Sequence, residues 1–112
     1  IAFKKKGVKV IELKPLLSGR LVPELIANAL GVEGLNSVLL EGGGKLAGSF
    51  ISAGLIDHLA WFHAPKLIGD DGIPSIAAYG VESLLDIQSF QRTAQHQCGN
   101  DIYETYDRKN GN

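Results

Sequence analysis

The chain has 112 residues, the size of a single domain. Hydrophobic residues make up 45% and charged residues 21%, which indicates a globular protein rather than a disordered or membrane-spanning one. The 11 basic and 12 acidic side chains give a net charge of −1. This balance argues against binding to nucleic acid or an anionic membrane through bulk electrostatics. One cysteine is too few for an internal disulfide or a cysteine-rich zinc site.

Two further features concern the origin and location of the chain. Methionine is absent and the first residue is Ile1, which predicts that the chain is a piece of a longer protein. No uninterrupted apolar run approaches the roughly 18 residues that a membrane helix needs, and no signal-peptide pattern opens the chain. We therefore expect a cytoplasmic protein.

Hydrophobic periodicity in the first half predicts strands and helices in alternation. The alternating, β-branched run at 8–13 predicts a strand. A helix is expected to begin at Pro23, which suits a first turn, and to end where Gly31 adopts a left-handed conformation. The apolar run at 37–41 predicts a buried, parallel strand. A second helix then follows three glycines and ends in a Schellman-type turn at Gly54.

The second half predicts a strand, an irregular stretch and a hairpin. The strand covers 58–64, and a short helix is expected at 75–79. Alternating runs at 90–97 and 102–107, joined by the four residues 98–101, predict a β-hairpin. The three histidines lack metal-ligand spacing, so no metal site is predicted. The whole pattern is typical of an α/β fold with a mostly parallel sheet and an antiparallel edge.

The segment 41–49, with the sequence EGGGKLAGS, is the most informative part of the chain. It lies at the carboxyl end of a predicted buried strand and opens a helix, the edge at which open α/β sheets bind ligands. A helix start offers unpaired N–H groups and a partial positive charge to a phosphate, and glycines let the phosphate approach the backbone. A tight turn without a ligand is the alternative interpretation.

Two phosphate-binding motifs were compared with this turn. A P-loop requires Ser or Thr after Gly-Lys, whereas Lys45 is followed by Leu46, so that motif is absent. The dinucleotide pattern G-x-G-x-x-G/A is met by Gly42, Gly44 and Ala47. However, the acidic residue that a dinucleotide-binding unit has about 20 positions later is missing.

Glu41 is a carboxylate at the end of an apolar strand, and such a group needs a polar partner. Local backbone N–H groups are one possible partner. Hydroxyl or amide donors of a ligand are the other, and the sequence leaves both open.

Four segments, in order and spacing, resemble the reductase domain of the bacterial riboflavin-biosynthesis deaminase/reductase. The resemblance runs from about Val8 to Tyr106. The segments that carry it are 35–43, 46–50, 53–57 and 64–69.

The resemblance implies a dihydrofolate-reductase-like three-layer sandwich, mostly parallel with a C-terminal antiparallel hairpin. It also implies NADPH-dependent reduction of 5-amino-6-(5-phosphoribosylamino)uracil to its ribitylamino form. Glu41 is implied to contact the substrate, and the turn and helix start to contact the NADPH phosphates; no catalytic residue is assigned. A cis peptide bond is implied at Gly42–Gly43 or Gly43–Gly44. The implied cofactor-binding residues are Gly42, Gly43, Gly44, Lys45, Leu46, Ala47, Gly48 and Ser49.

The resemblance covers only about the carboxyl-terminal half of such a domain. Residues 1–112 are therefore predicted to be one domain portion that is inactive alone, and we expect a homodimer in the full-length protein. The zinc-deaminase patterns H-x-E and P-C-x-x-C do not occur. Two alternatives remain: a fold kept for assembly or ligand binding without catalysis, and a sister reductase acting on another pyrimidine or pterin.

Overall fold

The structure, a computed structural model, describes residues 3–109. The chain divides into two compact units, residues 1–39 and residues 40–112. No helix within the described range is long and apolar enough to cross a membrane.

The first unit contains one α-helix, α1 (Pro23–Val32), with Pro23 in its first turn as the sequence predicts. The end of α1 corrects the prediction, because Gly31 lies inside the helix. The left-handed residue is instead Gly34, with φ of +83°. The Gly34 N–H donates to the Gly31 carbonyl, and the Leu35 N–H donates to the Leu30 carbonyl. These bonds satisfy the last helical carbonyls, so the helix ends later than the glycine pattern suggested.

The predicted strands at 8–13 and 37–41 are not strands in the structure. Neither segment pairs with a strand among residues 3–109, where the Val8 N–H donates to the nearby Phe3 carbonyl, and a β-strand is stabilised by pairing with a neighbour. The side chains that were expected to be buried are exposed, with Val38 at 56% and Leu39 at 78%. The prediction of strands at 8–13 and 37–41 is therefore wrong for the described chain, which supplies no strand to pair with either segment.

The second unit begins with α2 (Gly44–Ser52), capped by Gly43 in an extended conformation. Its end confirms the predicted Schellman-type turn. Gly54 has φ of +66°, its N–H donates to the Ile51 carbonyl, and the Leu55 N–H donates to the Phe50 carbonyl. Ile51 is the buried apolar residue of this helix.

A three-stranded antiparallel sheet follows, in the order β1-β3-β2. Its strands are β1 (His58–His63), β2 (Phe90–Cys98) and β3 (Asp101–Arg108). The predicted hairpin is confirmed, with a connection of two residues rather than four. The parallel sheet that the sequence predicted is not present in the part of the chain that is described, where every strand pair is antiparallel.

Between β1 and β2 the chain forms two 3₁₀ turns, Gly69–Asp71 and Leu84–Asp86. The short helix predicted at 75–79 is absent, because this segment is irregular. One of its amides, the Ala77 N–H, donates to the carbonyl of Gly44 in α2 instead of to its own segment.

Arg108, the last residue of β3, joins the sheet to the end of α2. Its guanidinium donates to the Gly54 carbonyl and, at 3.0 Å, to the Asp57 carboxylate. Its backbone N–H also donates to the Asp57 carbonyl. A cation beside the carbonyls that end a helix is favourable, so these bonds fix α2 against the sheet.

Candidate functional site

The start of α2 presents three unpaired amides. The Leu46 and Ala47 N–H groups donate to the Gly43 carbonyl. Within residues 3–109, the N–H groups of Gly43, Gly44 and Lys45 have no acceptor, and no side chain caps the helix. These are the donors that a helix start leaves unsatisfied, and together with the helix dipole they suit an anion.

The four glycines of segment 41–49 differ in what an added Cβ atom would contact. A Cβ atom at Gly43 would meet nothing within 4 Å, so this position is open to a ligand. A Cβ at Gly42 would overlap the Leu46 side chain. Cβ atoms at Gly44 and Gly48 would instead overlap the backbone of the irregular segment between β1 and β2. Only Gly43 therefore has the open surface that close approach of a phosphate requires.

The other predicted cofactor-binding residues line the first turns of α2. Lys45 and Leu46 are exposed, and Ala47 is half-buried. The Ser49 hydroxyl donates to the Lys45 carbonyl at 2.9 Å, which occupies its proton within the helix. The structure thus brings the unpaired amides and the Lys45 side chain to one end of α2, whereas Ser49 lies a turn away with its proton engaged.

Glu41 is exposed and immediately precedes the glycines. Of the two partners that the sequence left open, the local one is not found: no backbone or side-chain donor in the described part of the chain bonds to its carboxylate. The carboxylate therefore keeps its acceptor capacity for donors from outside the chain.

The cis peptide bond implied by the resemblance is not present. Among the described residues no peptide bond is cis, so Gly42–Gly43 and Gly43–Gly44 are both trans. The three amides are unpaired in this trans arrangement, and the residues present fit the phosphates of a dinucleotide: backbone donors, an open Gly43 and a nearby cation.

A second polar centre, which the sequence analysis did not identify, lies on the sheet. Glu104 in the middle of β3 is only 7% exposed. Its carboxylate contacts Arg92 Nη1 of β2 at 2.6 Å, His63 Nε2 of β1 at 2.9 Å and the Tyr106 hydroxyl at 2.7 Å. One carboxylate therefore joins all three strands. The alternation of β3 was the available signal, because it places Glu104 on one face with Tyr106.

These contacts shift the ionisation of the network. The hydrogen bond from Arg92 and then that from Tyr106 hold the pKa of Glu104 below its ordinary value of 4.5. The same bond to the carboxylate raises the pKa of Tyr106 above its ordinary value of 10.0. The network is thus stable as an ionised carboxylate with a protonated phenol.

The histidines take part in sheet contacts. His58 Nδ1 lies 2.7 Å from the Asp107 carboxylate across the β1–β3 pair, and His96 stacks on Tyr103. Within residues 3–109 no group of His, Cys, Asp and Glu has an arrangement that would hold a metal ion.

The sequence matches the model of the RibD C-terminal domain family over residues 3–103. It is 38% identical over 107 residues to the riboflavin biosynthesis protein RibD of Bacillus amyloliquefaciens, covering 94% of this chain and 28% of that protein. It is 34% identical over 90 residues to RibD of Escherichia coli (strain K12), covering 80% of this chain and 24% of that protein. The chain thus spans about a quarter of the length of these curated relatives.

The fold is similar to that of Acinetobacter baumannii RibD, form 2, with a TM-score of 0.76. The two sequences are 24% identical, and the similarity covers 96% of this chain and 28% of that one. At this level of identity the likeness concerns the α/β fold of the domain.

Proposed function

Because this chain belongs to the RibD C-terminal domain family, we propose that it is part of an NADPH-dependent reductase of riboflavin biosynthesis. The proposed reaction converts 5-amino-6-(5-phosphoribosylamino)uracil to its ribitylamino form. The observation that carries the proposal is the set of three unpaired amides at the start of α2, directly after the exposed Glu41.

In this proposal the amides of residues 43–45 donate hydrogen bonds to the diphosphate of the cofactor. Backbone donors at a helix start are already oriented, so they bind an anion without losing side-chain entropy. The open face of Gly43 lets the anion approach the amides. The exposed Lys45 ammonium adds a positive charge at the same turn. NADPH, when bound, would supply a hydride to C1 of the ribose in its ring-opened imine form, and the imine nitrogen would take a proton from solvent.

Glu41 has a different role in the proposal, because its carboxylate is an acceptor and repels phosphate. It accepts hydrogen bonds from hydroxyl or amide donors of the substrate and orients the ribose carbon toward the cofactor. Orientation of two bound reactants is a large source of rate acceleration. The protein needs no nucleophile of its own for a hydride transfer.

The dihydrofolate-reductase-like sandwich with a mostly parallel sheet belongs to the same proposal. The segments 8–13 and 37–41 support it, since most of their apolar residues are exposed and neither is paired with a strand in the described chain. In the full-length protein we expect each segment to pair with a neighbouring strand. Hydrogen-exchange protection of 37–41 in the full-length protein would test this, and rapid exchange there would contradict it.

The experiment that tests the function is NADPH titration and turnover in the full-length protein carrying Gly43→Val or Glu41→Gln. Gly43→Val is expected to raise the Kd for NADPH by about 10- to 100-fold, because the added side chain separates the phosphates from the amides. Glu41→Gln is expected to retain NADPH affinity and lose about 100-fold in kcat.

Gly31→Ala in α1 is the matched control, because a Cβ there meets nothing within 4 Å and Gly31 lies outside the proposed site. It should leave both constants unchanged. Equal NADPH binding by Gly43→Val and the unmodified protein would remove the site assignment.

We also propose a cytoplasmic homodimer. Phe62 supports it, because 63% of this large apolar side chain on β1 is exposed and such a surface favours association. Sedimentation equilibrium of the full-length protein should give twice the monomer mass, and a strict monomer would contradict the proposal.

A further inference from the structure

The irregular segment 74–79 packs directly on the glycine face of α2. A Cβ atom at Gly44 would lie 2.5 Å from the Pro74 carbonyl oxygen and 3.1 Å from the Ala77 nitrogen. A Cβ at Gly48, one turn later, would lie 2.8 Å from the Ala77 carbonyl oxygen. The atoms that it would meet are backbone atoms, which cannot rotate away as a side chain does. Gly44 and Gly48 are therefore required for close contact with this segment.

A hydrogen bond joins the same two elements. The Ala77 N–H donates to the Gly44 carbonyl at 3.0 Å. Gly44 is the first residue of α2 and carries one of the three unpaired amides. The segment 74–79 is thus bonded to the turn at the residue whose N–H faces the proposed anion site.

The amides of residues 43–45 have few other restraints. Three consecutive glycines have the largest backbone freedom of any residues, and no side chain caps this helix. A binding site built from such a turn loses affinity to conformational entropy unless another element holds it. Segment 74–79 contacts this turn at Gly44 and leaves Gly43 open.

We propose that segment 74–79 positions the phosphate-binding amides at the start of α2, by packing against Gly44 and Gly48 and by the bond from Ala77. The inference rests on the proposed function, since it concerns how the same anion site is held. It separates two roles among the glycines: Gly43 is open for the ligand, whereas Gly44 and Gly48 are open for segment 74–79. Residues 74–79 act on the cofactor only through the turn and are positioning residues.

The first test uses Gly44→Ala and Gly48→Ala in the full-length protein. The measurements are the Kd for NADPH, the inhibition constants of inorganic pyrophosphate and adenosine, and kcat at saturating NADPH. Gly44→Ala should raise the Kd for NADPH and the inhibition constant of pyrophosphate by about tenfold, because its methyl group displaces the turn. The inhibition constant of adenosine should stay within about twofold, because adenosine carries no phosphate. At saturating NADPH kcat should also stay within about twofold, because the variants change the affinity for the cofactor and not the reacting atoms. Gly48→Ala should give a smaller change of the same kind.

The second test leaves α2 unaltered and changes the segment itself. Ala77→Pro removes the N–H that donates to Gly44. Ala78→Pro is the matched control, because the Ala78 N–H donates to no acceptor in the described chain. Ala77→Pro should raise the inhibition constant of pyrophosphate several-fold more than Ala78→Pro does. A purely structural role would lower thermal stability without this selective loss of phosphate affinity.

Unchanged pyrophosphate inhibition in both Gly44→Ala and Ala77→Pro would overturn the inference. Should Gly44→Ala fail to fold, as thermal denaturation would show, Gly48→Ala and the two proline variants decide the question. Gly43→Val separates this failure from failure of the function. If Gly43→Val weakens NADPH while the positioning variants do not, only the inference is wrong; if Gly43→Val also has no effect, the proposed function loses its site.

Discussion

Glu41 and Glu104 belong to the same compact unit and have opposite surroundings. Glu41 is exposed at the start of the glycine turn, without a hydrogen-bond donor from residues 3–109. Glu104 is 7% exposed at the centre of the sheet, with contacts to Arg92, His63 and Tyr106. A carboxylate whose acceptor positions are already filled by the chain is a structural group. A carboxylate that the chain leaves unfilled is available to a ligand.

The same contrast extends to the neighbouring backbone. The central strand β3 pairs with a strand on each side, whereas the turn at the start of α2 leaves three amides unpaired within residues 3–109. Unpaired donors close to an unpaired acceptor are expected where a polar ligand binds, since water or a ligand must satisfy them. The sheet therefore holds the unit together, and the turn carries the proposed chemistry.

The largest effect should come from removing the Glu104 carboxylate, compared with removing that of Glu41. Glu104→Ala removes the carboxylate that Arg92, His63 and Tyr106 all contact, so hydrogen exchange of residues 101–108 should accelerate by about 100-fold in the full-length protein. Glu41→Ala, its matched control, should leave that exchange unchanged. Hydrogen exchange followed by mass spectrometry measures both variants. Equal exchange in the two proteins would show that the Glu104 network does not stabilise the sheet.

A bulge in β2 makes the Glu104 network possible. The register pairs Arg92 with Tyr106 and Ala94 with Thr105, which leaves Thr93 as the extra residue. Paired residues share a face, so Arg92 lies on the face of Glu104 because Thr93 is left out of the ladder; if Thr93 were paired with Tyr106, Arg92 would lie on the opposite face. The Thr93 hydroxyl also lies 2.9 Å from that of Thr105.

Arg92→Ala should accelerate exchange in β3 by about tenfold, because it removes one of the three contacts to the Glu104 carboxylate. Deletion of Thr93 should leave that exchange within about twofold, because Arg92 would then directly precede Ala94 and stay opposite Tyr106 on the Glu104 face. Thr93→Ala is the control, because it keeps the bulge and removes only the hydroxyl. If the deletion accelerated exchange as much as Arg92→Ala does, the pairing of Arg92 with Tyr106 would not be what places Arg92 on Glu104.

The comparison also shows what the sequence could predict. Period-3.6 and period-2 patterns located α2, β1 and the hairpin, because each is stabilised by contacts close in the chain or by a paired strand that is present. The prediction of a strand at 37–41 is wrong for the described chain, because strand pairing depends on a neighbour that is not among the described residues. The sequence could not show that segment 74–79 packs against Gly44 and Gly48, because a missing side chain does not reveal what approaches it; their contact with the cofactor stays a prediction.

Glu104 was missed for a related reason. Its partners Arg92 and His63 lie 12 and 41 positions away, as the numbering shows, and only the sheet register and the bulge bring them together. Glu41 is singled out by local sequence, at the end of an apolar run and before glycines, and its contact with the substrate stays a prediction. Local chemistry is visible in a sequence, whereas a network across three strands depends on long-range register.

The pH dependence of stability separates the two glutamates further. Since the pKa of Glu104 is lower in the folded protein, its contribution is present above about pH 4.5 and is lost as the pH falls through the folded value. Since the pKa of Tyr106 is raised, its contribution is present below about pH 10 and is lost as the pH rises through the folded value. In Glu104→Gln the midpoint temperature of thermal unfolding should depend less on pH, at both the acid and the alkaline end. Glu41→Gln should reproduce the unmodified curve, and flattening by Glu41→Gln would contradict the contrast.

The smallest effect should come from Tyr106→Phe, which removes one of the three contacts to the Glu104 carboxylate. Arg92 and His63 remain, so exchange in β3 should accelerate only a few-fold, less than in Glu104→Ala. Because the lost bond helped to lower the pKa of Glu104, that pKa should rise and acid destabilisation should begin at a higher pH. The alkaline loss of stability should disappear with the phenol.

Tyr103→Phe is the control for that change. Tyr103 lies on the other face of the same strand, where it stacks on Phe62, and its hydroxyl has no hydrogen bond within the described residues. Removing this hydroxyl keeps the ring stack and leaves the Glu104 network intact, so both pH limits of stability should be unchanged. A shift of the acid limit in Tyr103→Phe equal to that in Tyr106→Phe would mean that any lost hydroxyl weakens this strand. The low pKa of Glu104 would then not arise from its bond to Tyr106.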